Sequence, residues 1–270
     1  MMEGFLEGFH RLVEQHRSGE PLLLLFDCDG TLAPFAATPE LARVPAGTLW
    51  VLDELKRIDR VSVGVISMRS LQDLQRLVPL YKVILAGSGG LELDFHGKTS
   101  LSSEAAEAAL RIEPILGPLS MALQGQSGAW LEEKRLGFTV HYRGTLPELH
   151  EALIRRIEGL LVAHGGSLSV FRGAFCIEAL AAPGWDKGRG IGRILGRLRF
   201  SCPNILYAGD GESDASAMGV VAALGGLTVS VGPSAPRKAS VHLHDPAELV
   251  EVLRFLHKGL RTGPGSPLGA

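Results

Sequence analysis

Cysteine is scarce: Cys28, Cys176 and Cys202 are the only three in 270 residues. An odd, widely scattered set excludes a disulfide scaffold and fits a reducing compartment. Charge of one sign is also lacking. Lys and Arg number 27 against 29 Asp and Glu, a formal net charge of −2. No overall field therefore draws the chain to nucleic acid or to anionic lipid. Long apolar runs are missing too. The run Leu22–Phe26 falls far short of the roughly 20 residues that span a bilayer. Residues 1–20 mix Glu, His and Arg with apolar residues at helical spacing and are followed by no small-residue cleavage site, so no leader is expected and the cytoplasm is the expected location. What the chain does have is 46% apolar residues. That suffices for a sizeable core, either as one large domain or as a core with an inserted module.

The most informative stretch is Leu22-Leu23-Leu24-Leu25-Phe26-Asp27-Cys28-Asp29-Gly30-Thr31. Its apolar run suits a buried parallel strand, and side chains at i and i+2 of an extended segment point the same way. Asp27 and Asp29 then share the carboxyl end of a strand, where open α/β sheets bind ligands. Two like charges so close need a counter-ion, a shared proton, or both.

Periodicity places helices over 51–58 and 70–78 and strands at Val61–Ile66 and 83–86, an alternation that gives a parallel sheet covered on both faces. From 91 to 180 the pattern changes to short strands (91–95, 129–131, 138–142, 175–180) with helices near 104–112 and 146–164, as in an α+β module. The parallel pattern resumes with helix Lys187–Leu198, strand 204–208, helix 214–224, strand Leu227–Val231 and helix 247–260. The expected organisation is an α/β core from 1–90 and 184–262, an inserted α+β cap from 91–183, and a flexible tail from 263–270. Pro183-Gly184 and the 86–90 segment are the expected hinges.

Four pieces fall at strand ends or helix starts on one edge of that core: Asp27 and Asp29, Ser67, Lys187, and Gly209-Asp210-x-x-x-Asp214. Each residue type fits phosphoryl transfer. Asp27 suits attack on phosphorus, and Asp29 suits protonation of the leaving oxygen and later deprotonation of water. Ser67 and Lys187 suit the non-bridging phosphate oxygens. Mg²⁺ takes hard oxygen ligands, which Asp27 and Asp210 offer, with Asp214 as a further donor.

In their order, Asp27-x-Asp29-Gly30-Thr31, Ser67, Lys187 and Gly209-Asp210-x-x-x-Asp214 resemble the four motifs of the haloacid dehalogenase superfamily. The resemblance implies a Rossmann-like core, Mg²⁺, an aspartyl-phosphate on Asp27, and metal binding by Asp29 through its backbone carbonyl. Within the 91–183 insert, Leu131-Glu132-Glu133-Lys134, then Thr139-Val140-His141-Tyr142-Arg143, and Ile177-Glu178 before Gly184-Trp185-Asp186-Lys187 resemble the cap of trehalose-6-phosphate phosphatases. This implies that Glu132, Lys134 and Glu178 bind sugar hydroxyls, with Arg69, His141 and Arg143 as further substrate contacts. It also implies a small-molecule sugar phosphate as partner. A trehalose-phosphate synthase partner is not legible in the sequence. The chain departs from the family pattern at Met68, where Gly is usual, at Gly89, where His is common, and at Gly211, where a second acid is usual. Two alternatives stay open: a related phosphatase acting on a glucosyl- or mannosyl-phosphoglycerate or a sucrose phosphate, and a non-catalytic sugar-phosphate sensor.

Other motifs read as decoys. Gly97-Lys98-Thr99 lacks the upstream glycine of a P-loop, and Gly188-x-Gly190-x-Gly192 has the wrong spacing for a dinucleotide fingerprint. The 86–90 glycine run reads as a turn into the cap rather than a nucleophile elbow. Arg189, Arg193 and Arg197 read as a solvated helix face, and His242 and His244 lack a third metal ligand at suitable spacing.

Overall fold

A computed structural model describes residues 2–198, 204–233 and 239–261. Cys202 and the tail from 263 lie outside the described residues. In chain order the elements are α1 Met2–Arg17, β1 Leu22–Phe26, α2 Ala46–Leu55, β2 Val61–Ile66, α3 Leu71–Leu77, β3 Ile84–Gly87, β4 Glu92–Phe95, β5 Lys98–Leu101, α4 Ala108–Leu123, β6 Trp130–Lys134, β7 Gly137–His141, α5 His150–Ala163, β8 Ser169–Gly173, β9 Cys176–Leu180, α6 Lys187–Leu198, β10 Ile205–Gly209, α7 Ala215–Ala223, β11 Leu227–Val231, β12 Val241–Leu243 and α8 Pro246–Arg261. Among the described residues no helix is long and apolar enough to cross a membrane.

The larger sheet has strand order β12-β11-β10-β1-β2-β3-β4-β5, parallel from β12 to β3 and antiparallel at β4 and β5. Strand β1 sits inside it and is apolar on both faces because both are covered. Leu22, Leu24 and Phe26 pack with α1, α2, α3 and α8, while Leu23 and Leu25 pack with α6 and α7. All five side chains are buried, each contributing about 1.5–3 kcal/mol of transfer free energy. The chain is a mixed α/β protein in which the carboxyl ends of β1, β2 and β10 lie side by side along one edge of the sheet.

The second sheet, β6-β7-β9-β8, is antiparallel throughout. One face (Phe138, Val140, Ile177, Ala179) packs on Ile112, Ile115 and Leu119 of α4 and on Leu153 and Ile157 of α5. The buried stripe on α4 also carries that helix to Leu123 through Pro114 and Pro118, past the stop expected at 112. Tertiary burial outweighs a cost of about 3 kcal/mol for an interior proline. Strands β5, β8 and β12 went unforeseen; the first two have no fully buried residue and the third has three residues.

The strand expected to open the cap at residue 91 belongs instead to the core. Strand β4 pairs antiparallel with β3 and forms a hairpin with β5, so the chain leaves the large sheet only after Leu101. Alternation of polar and apolar residues identifies a strand but not the sheet it joins. The 86–90 segment is correspondingly no turn into the cap. Gly90 has φ +96°, and a Cβ there would lie 2.5 Å from the Gly190 Cα of α6. The Glu92 carboxylate accepts from the Leu71 N–H and the Ser88 hydroxyl, both at 3.0 Å. These contacts pack the segment tightly against α6 and the start of α3. Arg193 is not on a solvated face either, for it donates to the Gly90 and Leu91 carbonyls.

Candidate active site

The ends of β1, β2 and β10 and the start of α6 bring the four sequence pieces together. Asp27 follows β1 and is buried, as is Lys187 at the first position of α6. The Lys187 Nζ lies 2.6 Å from Asp27 Oδ1 and 2.7 Å from Asp214 Oδ1. Ser67 follows β2, its carbonyl accepting from the Gly89 N–H and its hydroxyl from the Arg69 N–H. Gly30 permits the loop after β1 to approach the loop after β10: its φ is +83°, and a Cβ would meet Asp210 Oδ2 at 2.3 Å.

Asp27, Asp210 and Asp214 each offer an oxygen within 4.8 Å of the others. Three carboxylates against one ammonium leave two negative charges in a mostly buried volume. Burial pushes both Asp27 and Asp210 far above the ordinary carboxylate range. The Lys187 charge offsets part of this at Asp27, while at Asp210 the neighbouring Asp27 and Asp214 add to it. At Lys187 burial alone lowers the pKa, but the charges of Asp214 and Asp27 outweigh it and hold the ammonium above the usual lysine range. A donor set of hard oxygens with an excess of two negative charges fits a divalent cation such as Mg²⁺.

Asp214 differs from the other two. Its Oδ1 takes Lys187 and the Tyr207 hydroxyl, and its Oδ2 accepts the N–H groups of Asp210 at 3.1 Å and Gly211 at 3.0 Å. The side chain is fully buried and does not line the cavity. Expected as a metal ligand, Asp214 thus commits its oxygens to holding Lys187 and the Asp210 loop.

Arg69, an expected substrate contact, lines the cavity and also grips Asp29. Its Nε and Nη2 lie 2.5 and 2.8 Å from the two carboxylate oxygens, and Nη1 donates to the Pro39 carbonyl. Burial lowers the Arg69 pKa, yet the Asp29 hydrogen bonds and charge outweigh it and raise it. A planar fork on a carboxylate fixes orientation as well as charge.

Opposite this floor stands the polar face of the cap sheet. Cross-strand register aligns Glu132, Thr139, Glu178 and Phe171 in one row, and Trp130, His141, Cys176 and Gly173 in the next. Period-2 alternation turns these residues to one face while Phe138, Val140 and Ile177 fill the cap core. Lys134 donates to Thr139 Oγ1 at 2.7 Å and to the Met68 carbonyl at 3.4 Å, and stands 3.8 Å from Glu132. His141 Nε2 lies 2.8 Å from Glu132 Oε2. Burial raises the Glu132 pKa, but the His141 hydrogen bond and the Lys134 charge outweigh it and keep the carboxyl below its ordinary value. At Glu178 burial wins over Lys134 and Lys187 and the pKa rises.

Floor and cap face enclose a cavity of about 380 Å³, within the range of small-molecule sites. It is lined by every predicted site residue except Asp214. Arg143 lies at its margin between the Phe35 and Phe175 rings, 5.4 and 5.5 Å from their centroids, and donates to Ala36 and Ala174 carbonyls. Sequence reasoning missed Trp130, Thr139 and Tyr207. Trp130 and Thr139 were legible in principle, since each lies at even spacing from Glu132 or His141. Tyr207 carried no signal, because its hydroxyl is recruited from inside an apolar strand. Two departures from the family pattern turn out to face each other: a Cβ on Gly89 would lie 3.5 Å from the Met68 sulfur. The buried Met68 packs with Leu180 and Trp185 in the cap cluster, filling space beside the glycine.

The family model described as Trehalose-phosphatase matches residues 25–247. The trehalose-6-phosphate phosphatase of Escherichia coli K12 is 30% identical over 211 residues, covering 78% of this chain and 77% of its own. The trehalose-phosphate phosphatase of Mycobacterium tuberculosis H37Rv is 30% identical over 251 residues, 89% of this chain; the match spans 62% of that protein's length. Among solved structures, the C-terminal domain of Candida albicans trehalose-6-phosphate phosphatase superposes with a TM-score of 0.82 at 21% identity, covering 93% of this chain and 96% of that one. A haloacid dehalogenase-like hydrolase from Bacteroides thetaiotaomicron superposes with a TM-score of 0.62 at 12% identity, covering 87% and 99%. With four-fifths of its length matched by the family model and its catalytic edge and cap face assembled as that family's motifs imply, the chain belongs to the trehalose-phosphatase family of phosphoric monoester hydrolases.

Proposed function

We propose that this protein hydrolyses trehalose 6-phosphate to trehalose and phosphate, with Asp27 as nucleophile. The observation that carries the reading is the Asp27–Lys187 contact on the floor of a cavity whose roof is a row of carboxylates and an ammonium. The first suits a phosphoryl group and the second a polyol.

An Asp27 oxygen attacks phosphorus and the bond from phosphorus to the sugar oxygen breaks. The electron pair goes to that oxygen, which takes a proton from Asp29. Water then gives a proton to Asp29 and attacks the aspartyl phosphate, releasing phosphate and restoring the Asp27 carboxylate. Each Asp29 oxygen accepts one Arg69 hydrogen bond and keeps a lone pair for that proton. Ser67 and Lys187 hold the phosphoryl oxygens. Asp27, Asp210 and the Asp29 carbonyl would hold Mg²⁺, with Asp214 behind them; when bound, the ion neutralises the carboxylate excess and the phosphoryl charge. The unpaired Cys28 and Cys176 support a cytoplasmic location. The sensor reading is disfavoured because Asp27, Asp29 and Lys187 are all in place.

Phosphate release across trehalose 6-phosphate, sucrose 6-phosphate, glucosyl- and mannosyl-phosphoglycerate and an aryl phosphate tests the reading. Trehalose 6-phosphate is expected to lead the panel in Mg²⁺, and turnover to vanish in chelator. A trehalose 6-phosphate rate no better than the aryl phosphate rate overturns the substrate. Activity that survives exhaustive chelation overturns the metal.

The cap row carries its own prediction. Glu178→Ala and Glu132→Ala should each reduce kcat/KM for trehalose 6-phosphate by about a hundredfold, the worth of one or two hydrogen bonds to charged groups. The loss on an aryl phosphate should be at least tenfold smaller, roughly one such hydrogen bond. Equal losses on the two substrates would make these residues structural.

A further inference from the structure

Trp130 has no place in the chemistry above, yet it is the most unusual side chain in the cavity. It opens β6, an edge strand of the cap sheet, and lines the cavity with 36% of its surface exposed. The cap-side tryptophan at the seam, Trp185, behaves otherwise: it is buried and its indole N–H donates to the Gly89 carbonyl. Among the described residues the Trp130 indole N–H has no protein acceptor.

The ring is nevertheless held in place. One face stacks on the His141 imidazole, with centroids 4.1 Å apart and planes 16° apart. His141 in turn is fixed by its 2.8 Å contact with Glu132. A carboxylate therefore orients an imidazole, and the imidazole orients an indole, before any ligand arrives. A large aromatic fixed in this way loses little rotamer freedom on binding.

The position along the strand says what such a surface is for. Trp130 is two residues from Glu132, about 7 Å along an extended strand. That displacement is about one sugar ring away from the Glu132–Thr139–Glu178 row. A pyranose has hydroxyls at its rim and C–H groups on its faces. The C–H face is apolar and slightly electropositive, the complement of the negative face of an indole. The free indole N–H can donate to a rim hydroxyl.

We propose that Trp130, braced by His141, is a specificity-determining residue that stacks against the ring of the disaccharide that bears no phosphate. The proposal rests on the trehalose 6-phosphate reading and deepens it. Glu132, Lys134 and Glu178 engage hydroxyls, which every sugar phosphate has, whereas Trp130 rewards only a ligand with a second ring.

The test compares kcat/KM on trehalose 6-phosphate and on glucose 6-phosphate for the wild type, Trp130→Ala, Trp130→Leu and Trp130→Phe. In Trp130→Ala the ratio of the two is expected to fall about tenfold, the worth of an aromatic face at 1.4 kcal/mol, mainly through a higher KM for the disaccharide. Trp130→Leu keeps apolar bulk on the strand but has no π face, and should lose the ratio similarly. Trp130→Phe should restore most of it. A wild-type preference for the disaccharide that persists in both Ala and Leu variants overturns the role of Trp130 and leaves the substrate standing. A wild type with no preference for the disaccharide overturns both.

Discussion

Asp27→Asn is expected to cut turnover of trehalose 6-phosphate by about four orders of magnitude or more, as loss of a covalent nucleophile does elsewhere. The substitution preserves shape and one carbonyl oxygen, so the 2.6 Å contact with Lys187 keeps an acceptor. What disappears is the oxygen nucleophile, for an amide cannot form the acyl phosphate and then be regenerated by water. Affinity for the sugar should persist, because Glu132, Lys134 and Glu178 lie on the opposite wall. The stability effect has a definite sign as well. Burial and like charge already push Asp27 and Asp210 toward protonation, so removing one charge relieves repulsion in the metal-free protein. The variant is therefore expected to unfold no lower than wild type in chelator. It should also gain less than wild type from Mg²⁺, whose binding adds about 2.7 kcal/mol at a hundred times its dissociation constant. Steady-state assays and thermal unfolding with and without Mg²⁺ read both effects. Turnover within tenfold of wild type would sink the assigned nucleophile.

The catalytic edge was legible because it is coded by position: an apolar run ending in Asp-x-Asp, a β-branched strand ending in Ser67, and a glycine-rich turn at Asp210. Each lies at the end of a periodic element, and a parallel sheet brings such ends together without further information. The cap face was legible in part, since alternation in 130–134 and 137–141 sets Glu132, Lys134 and His141 on one side. Three things were hidden for physical reasons. Strand β4 obeys the same alternation as cap strands, its partner β5 shows none, and only the pairing of β3 with β4 assigns the hairpin to the core. The Arg69–Asp29 fork joins residues 40 apart, and an arginine beside a phosphate site reads equally as a substrate clamp. The hold of Asp214 on Lys187, Tyr207 and the Asp210 loop depends on the directions of four hydrogen bonds, which no spacing encodes.

Asp214→Ala is expected to be the most damaging substitution for stability in the catalytic core. It removes one of two acceptors of a fully buried ammonium and the only acceptor of the buried Tyr207 hydroxyl among the described residues. The N–H groups of Asp210 and Gly211 lose their acceptor too. Breaking a buried ion pair from one side costs about 3–5 kcal/mol, because the partner charge stays behind. For a chain of this size that corresponds to a fall of roughly 10 °C in Tm. Tyr207→Phe isolates one strand of the network and should cost only about 1 kcal/mol, the usual net worth of one hydrogen bond. The pair also separates a brace from a ligand. If Asp214 acts by holding Lys187 and the Asp210 loop, kcat falls in Asp214→Asn, which retains an acceptor for Lys187 but turns an amide toward two N–H donors. Half-saturating Mg²⁺ should then rise only severalfold, by about 1 kcal/mol at most. A rise of about a thousandfold, the loss expected for a direct carboxylate ligand at about 4 kcal/mol, would return Asp214 to the metal shell. Mg²⁺ titrations of activity in the two variants decide between them, because a brace and a ligand differ in which parameter moves.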